Sequence, residues 1–343
     1  MASVFQQLND KNLLQPHPKF IASGIQYEVL MGSVAYGVAS DTSDMDVYGY
    51  CIPPRDMVFP HLRGEIPGFS TPGPAFDQFQ QHHIQDLGAL GGRGREYDVT
   101  IYSIVKYFRL CMDNNPNIID SLFVPRNCVL YSTAIGERVR EQRKLFLHKG
   151  AWHKFKGYAF AQVHKMKTKQ PEGKRKKTVE RHGFDVKFAY HVVRLLNEVE
   201  QILTEHDLTL DRNKEQLKAI RRGEWTQQQI EEYFASKERE LESLYSRSTL
   251  PHSPDEAAIR ELLLNCLEHH SRQPGSSDRA PRRGPGCAPE NRRDPGERAR
   301  FAALTTRALT TLDLGGKQRQ QTSNSVVFIG ACLAPLLPGA ART

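Results

Sequence analysis

The chain of 343 residues is poor in the features that mark several protein classes. Nothing in it approaches the eighteen or more apolar residues of a membrane-spanning helix, so no membrane partner is expected. Residues Met1-Ala2-Ser3-Val4-Phe5-Gln6-Gln7 show no basic region followed by an apolar stretch, and no secretory signal is read there. The six cysteines (51, 111, 128, 266, 287, 332) form no CxxC pair and no CxxC…HxxxH spacing. That argues against a disulfide framework or a zinc module and for a reducing, cytoplasmic setting. Gly91-Gly92-Arg93-Gly94 has no strand feeding it and no GK[ST] behind it, so it reads as a flexible loop, not a phosphate fingerprint. His82-His83 and His269-His270 lack partners at ligand spacing and are assigned no metal.

What the chain does have is positive charge, unevenly placed. Lys+Arg number 47 against 39 Asp+Glu, a net +8 that invites a nucleic-acid partner. Residues 271–343 hold 12 of those cations and five acids, so the remaining 270 residues carry 35 against 34 and are nearly neutral. Residues 272–300 are dominated by Pro, Gly, Arg and Ser without periodicity, a composition that buries too little apolar surface to offset its ordering entropy. Residues 271–343 are therefore expected to be a disordered Arg/Pro/Gly-rich tail. A basic RNA-binding arm, or a reading-frame change after His270, would look similar.

The body divides in two. Over 20–130 strand-like and short helical runs mix: Tyr27–Met31, the stretch with Met45, Val47 and Tyr48, and Tyr97–Tyr102 read as strands. A Pro/Gly-rich excursion, roughly 53–94, separates the second from the third. From about 132 to 270 the pattern is helical. Phe188, Val192, Leu195, Leu196, Val199, Ile202 and Leu203 form one buried face, and Thr226–Gln229 and Ser253–Glu256 read as capping boxes, the second with Pro254 at the first helical position. The expectation is an α+β fold, with a small mixed-sheet domain over 1–131 and a helical substrate- or nucleotide-binding domain over 132–270.

Chemistry concentrates in Met31-Gly32-Ser33-Val34-Ala35-Tyr36-Gly37-Val38-Ala39-Ser40-Asp41-Thr42-Ser43-Asp44-Met45-Asp46-Val47. A strand ending at Gly32-Ser33 lets a backbone amide and a hydroxyl approach an anion, with a short helix starting at the same place. Asp44 and Asp46 share one strand face, about 7 Å apart, where they repel unless a cation lies between them. Mg2+ is the natural occupant for oxygen ligands.

This run resembles the Gly-Ser/Gly…Asp-x-Asp signature of the DNA polymerase β-like nucleotidyltransferase superfamily. That superfamily adds a third carboxylate from a neighbouring strand, for which Asp98 has the right type and face, 52 residues beyond Asp46. The stretches Gly32–Tyr48, Tyr97–Pro125 and Gly183–Leu196 are similar to the branch of predicted nucleotidyltransferases associated with RNA repair. The resemblance extends over most of 25–270 and stops short of the tail.

It implies a palm-like catalytic domain, with Asp44, Asp46 and Asp98 as catalytic residues holding two Mg2+ ions (Mn2+ as the alternative) and Gly32 and Ser33 cradling the phosphates of an NTP substrate. Lys187, His191 and Arg194, at i, i+4 and i+7, form a cationic stripe suited to the triphosphate or to departing pyrophosphate. A solvated helix face would look the same. Residues 149–181 hold 11 Lys+Arg and two Glu, with Trp152, Phe155 and Tyr158 interleaved. Such a field would hold a nucleic-acid backbone, although solvated lysines and core aromatics account for the same pattern. RNA is the expected partner, its 3′ end the expected acceptor. Nucleotidylation of a protein or small molecule, and a non-catalytic nucleic-acid-binding or toxin–antitoxin role, are the alternatives.

Overall fold

The computed structural model describes residues 2–39, 43–63, 65–66, 68, 75–169 and 173–272. Five strands, β1 Ile25–Leu30, β2 Met45–Cys51, β3 Gln78–Asp86, β4 Arg95–Ser103 and β5 Val129–Ser132, form one sheet in the order β3-β4-β2-β1-β5. β2 and β4 run parallel and the other neighbours antiparallel, so the sheet is mixed and the fold α+β, as expected. The helices used below are α1 Val4–Asp10, α2 Gly32–Ala35, α3 Ile104–Met112, α4 Pro116–Phe123, α5 Ala134–Glu141, α6 Ala151–Thr168, α7 Lys174–His182, α8 Val186–Glu205, α9 Lys214–Arg221, α10 Gln227–Arg247 and α11 Glu256–Arg272.

β1 lies inside the sheet with every residue buried, and its alternation sets the two faces. Tyr27 stands on one face and stacks with Tyr50 of β2, which stacks in turn on Tyr107 of α3. Sheet and helices share a single core, which continues through Trp152, Phe155 and the buried side of α8. α8 is the hub of the helical half, and fifteen of its residues are buried, in keeping with its apolar periodicity. The Thr226/Gln229 capping box opens α10 with both of its hydrogen bonds formed. The second expected box forms differently: Asp255 accepts from the Ala258 amide at 2.9 Å and α11 starts at Glu256, two residues after Pro254. α11 runs to Arg272, and the expected disorder beyond it falls outside the described residues.

The excursion at 53–94 is not a loop throughout. It contains β3, which pairs antiparallel along β4, and Gly91–Gly94 is the turn between those two strands. β3 (QFQQHHIQD) escapes sequence reading because an edge strand, bonded on one side only, needs few apolar residues. Phe79 and Ile84 are its only buried hydrophobics.

On the opposite face Glu28 is fully buried, and its carboxylate accepts the amides of Val4 (2.7 Å) and Phe5 (3.0 Å) at the start of α1. Burial pushes this carboxyl from 4.5 up to about 7, against the two amides. The native state therefore holds a proton that the unfolded chain releases near 4.5. The associated stability is full below that pH and is lost as pH rises through 7. Across pH 4.5–7 the unfolding free energy of the natural chain should fall by about 3 kcal/mol relative to Glu28→Gln. Urea melts of both proteins at pH 4.5 and 7.5 test this, and parallel pH profiles would refute it.

Candidate active site

β1 ends at Leu30, and the chain turns through Met31 into the single turn of α2, with the Met31 amide donating to the Asp46 carbonyl at 2.7 Å. Gly32 takes φ +62°, a conformation that favours glycine, and a Cβ there would overlap the Asp46 carboxylate. The glycine is thus required twice, once for the backbone and once for the carboxylate lying against it. Gly32→Ala should displace Asp46 and cost about 1–3 kcal/mol of stability. Reduced transfer activity alongside a lowered melting temperature is the expected pair of readouts, whereas an unaltered variant would contradict the packing.

Parallel pairing of β2 and β4 puts Asp46 directly beside Asp98 in register, on one face of the sheet. Asp44 is exposed and immediately precedes β2. Asp46 feels the charge of both other acids, whereas among the described residues the ligand atoms that lie within 4.8 Å of one another belong to His83, Glu96 and Asp98. Burial pushes the Asp46 carboxyl from 3.8 up to about 6, the Asp98 charge adds to this, Lys187 opposes it, and Asp44 raises it further. The Asp46 carboxylate, raised by both other acids, offers the hard oxygen donors that Mg2+ or Mn2+ would take, and a cation there would relieve the repulsion. Lys187, exposed on the first turn of α8, is the lysine whose charge acts on Asp46.

The rest of the expected cationic stripe points elsewhere. Arg194 is 4% exposed, and its guanidinium is held inside the protein by Asp120 of α4 and by Glu198 at 3.0 Å. It also donates to the Tyr36 hydroxyl at 2.6 Å and lies over that ring at 4.4 Å. An arginine so enclosed joins α8 to the turn after α2 and has no phosphate-facing surface, which corrects the sequence expectation. Its i+7 spacing from Lys187 is real, but neighbouring elements bury that end of the stripe. His191 lies between, half-buried. Burial holds its imidazole well below the ordinary value, reinforced by Arg194, Lys187, Arg175 and Arg221. Its surroundings are strongly positive and disfavour its protonation.

The 149–181 cations are also partly engaged. Lys149 is buried, Lys156 pairs with Glu238 at 2.8 Å, Lys167 with Glu231 at 2.8 Å, and Arg175 with Asp185 at 2.9 Å. Acids of α10 neutralise one side of α6, leaving Lys154 of α6 and Lys176, Lys177 and Arg181 of α7 among the segment's exposed cations. Trp152 and Phe155 are core, whereas Tyr158 is exposed and its hydroxyl accepts from Asn115 at 3.0 Å.

Sequence spacing missed His82 and His83. Their partners come from across the sheet: His82 Nδ1 is 3.1 Å from Asp98 Oδ2, and the His83 amide donates to Asp98 Oδ1 at 2.8 Å. His83 Nδ1 also meets Glu96 at 2.5 Å. A paired histidine opposite a candidate carboxylate becomes visible only once the β3–β4 register is known.

A mixed sheet with two in-register carboxylates, a glycine turn packed on one of them and a helical half supplying a lysine is the arrangement the nucleotidyltransferase resemblance implies. The chain belongs to the RNA repair pathway DNA polymerase beta family, whose model matches residues 7–283. Membership makes it a member of a polymerase β-like nucleotidyltransferase family associated with RNA repair. No curated protein matches it. Among solved structures, a nucleotidyltransferase-like protein from Exiguobacterium sibiricum 255-15 is similar over 77% of this chain and 72% of its own, at 10% identity and a TM-score of 0.25. A likeness that slight carries no argument here. No helix among the described residues is long and apolar enough to cross a membrane.

Proposed function

We propose that the protein transfers a nucleoside monophosphate from an NTP to a hydroxyl, with an RNA 3′ end as the acceptor. The observation that carries this reading is the in-register pairing of Asp46 with Asp98 beside Gly32, within a family associated with RNA repair. Two divalent cations, held by Asp44, Asp46 and Asp98, would supply charge neutralisation of the triphosphate and a lowered pKa for the acceptor hydroxyl. Gly32 and Ser33 present backbone and hydroxyl to the β- and γ-phosphates. Asp98 receives the hydroxyl proton as the acceptor oxygen bonds to the α-phosphorus and the bond to pyrophosphate breaks. Lys187 stabilises the leaving pyrophosphate, and the half from 132 to 270 brings it to the sheet half, 1–131.

The test is incubation of the purified chain with Mg2+, α-labelled NTPs and either total RNA or a protein and metabolite extract. Label on RNA that disappears on chelation is expected. Label only on protein or metabolite, or RNA binding without pyrophosphate release, would overturn the reading.

A further inference from the structure

The register of β3 against β4 is regular from Gln78↔Tyr102 to Gln81↔Val99 and resumes one residue out of step at Ile84↔Tyr97. Two residues, His82 and His83, therefore face one, Asp98. His83 absorbs the extra residue by adopting φ +57°, a left-handed conformation that costs a histidine about 1 kcal/mol or more. The bulge falls opposite the third carboxylate and binds both of its oxygens, through the His83 amide at 2.8 Å and His82 Nδ1 at 3.1 Å. Behind His82 the contacts continue along the same strand. Gln80 Nε2 lies 2.8 Å from His82 Nε2, and Gln78 Nε2 donates to Gln80 Oε1 at 3.2 Å. With the Gln80 oxygen engaged by Gln78, its amide nitrogen is the donor to His82. That leaves the imidazole proton on Nδ1, directed at Asp98.

We propose that His82 is a positioning residue for the transfer reaction: with the His83 amide it fixes the orientation of the Asp98 carboxylate, and Gln80 fixes the tautomer that lets it do so. The inference rests on the function proposed above and assigns His82 no contact with substrate. A carboxylate held at both oxygens keeps its remaining lone pairs in a defined direction, as partners behind a ligand do elsewhere, where their loss typically costs 10–100-fold in affinity or activity.

The substitutions follow from atom positions. An asparagine amide nitrogen superposes on Nδ1, a glutamine amide nitrogen on Nε2, and alanine on neither. In the full-length chain, His82→Ala and His82→Gln should lower kcat for transfer 10–100-fold with KM for NTP within about twofold. Both should weaken Mn2+ binding, read by electron paramagnetic resonance of free Mn2+, about tenfold. His82→Asn should recover most of both. Near-natural kcat and Mn2+ affinity in His82→Ala overturns the proposal, as does equal loss in the alanine and asparagine variants, or absence of Mn2+ binding in the natural chain. Should the natural chain bind Mn2+ but label no RNA, the proposed reaction fails, while the ratio of Mn2+ affinities among the variants still decides the role of His82.

Discussion

Asp46→Asn is expected to abolish transfer, with a loss of about 10³-fold or more, while leaving the fold intact or slightly stabilised. The first effect follows if the carboxylate is the shared anion of the metal site, since an amide of the same shape carries no charge and offers one poor oxygen donor. The second follows from what Asp46 costs the fold where no divalent ion neutralises it. It is mostly buried, paired in register with Asp98 and close to Asp44, so burial and like charge together push its carboxyl up to about 6. Asparagine removes that repulsion, and without divalent ions the variant should gain about 1 kcal/mol or more in denaturant unfolding. Activity lost with stability unchanged or raised is the signature of an acid kept for chemistry. Parallel loss of both would mean that Asp46 serves the fold, and retained activity would remove it from the reaction.

How legible each part was depends on how local its determinants are. β1, β2 and β4 show period-two patterns within a few residues, and Asp46 and Asp98 inherit their faces from them. Gly32 was legible because the turn it makes adjoins the motif in sequence, although its contact with the Asp46 carboxylate was not. β3 was hidden because its two buried hydrophobic side chains are set among glutamines and histidines, and its stability comes from pairing along β4. His82 was hidden for a sharper reason: its contact depends on a one-residue bulge, which shifts the register without altering composition. The charge density of 149–181 was visible, but not the facing acids Glu231 and Glu238, which lie more than sixty residues from the lysines they neutralise. Arg194 shows the same limit. Helical spacing places it beside Lys187 and His191, whereas only the tertiary fold brings Asp120, 74 residues away, against it.

That difference makes Arg194→Ala the sharpest test of the fold. A phosphate-binding arginine on a surface could be removed with little effect on stability. An arginine enclosed by Asp120, Glu198 and the Tyr36 ring cannot, because its loss leaves two buried carboxylates facing each other with no cation between them. Burial already raises the carboxyls of Asp120 and Glu198 against the pull of Arg194. Removing one partner from such a group costs about 3–5 kcal/mol. The Tyr36 hydroxyl, which donates to Asp120 at 2.7 Å, would also lose its bond from Arg194, loosening the turn that follows Gly32 and Ser33. The unfolding free energy should fall by that amount, seen as a lowered denaturation midpoint at unchanged slope, with activity failing only as the protein unfolds. Adding Asp120→Asn to Arg194→Ala should recover about 1–3 kcal/mol, since it removes one of the two stranded charges. A variant that keeps its midpoint yet loses affinity for NTP would return Arg194 to the triphosphate and break the tie between α8 and the glycine turn.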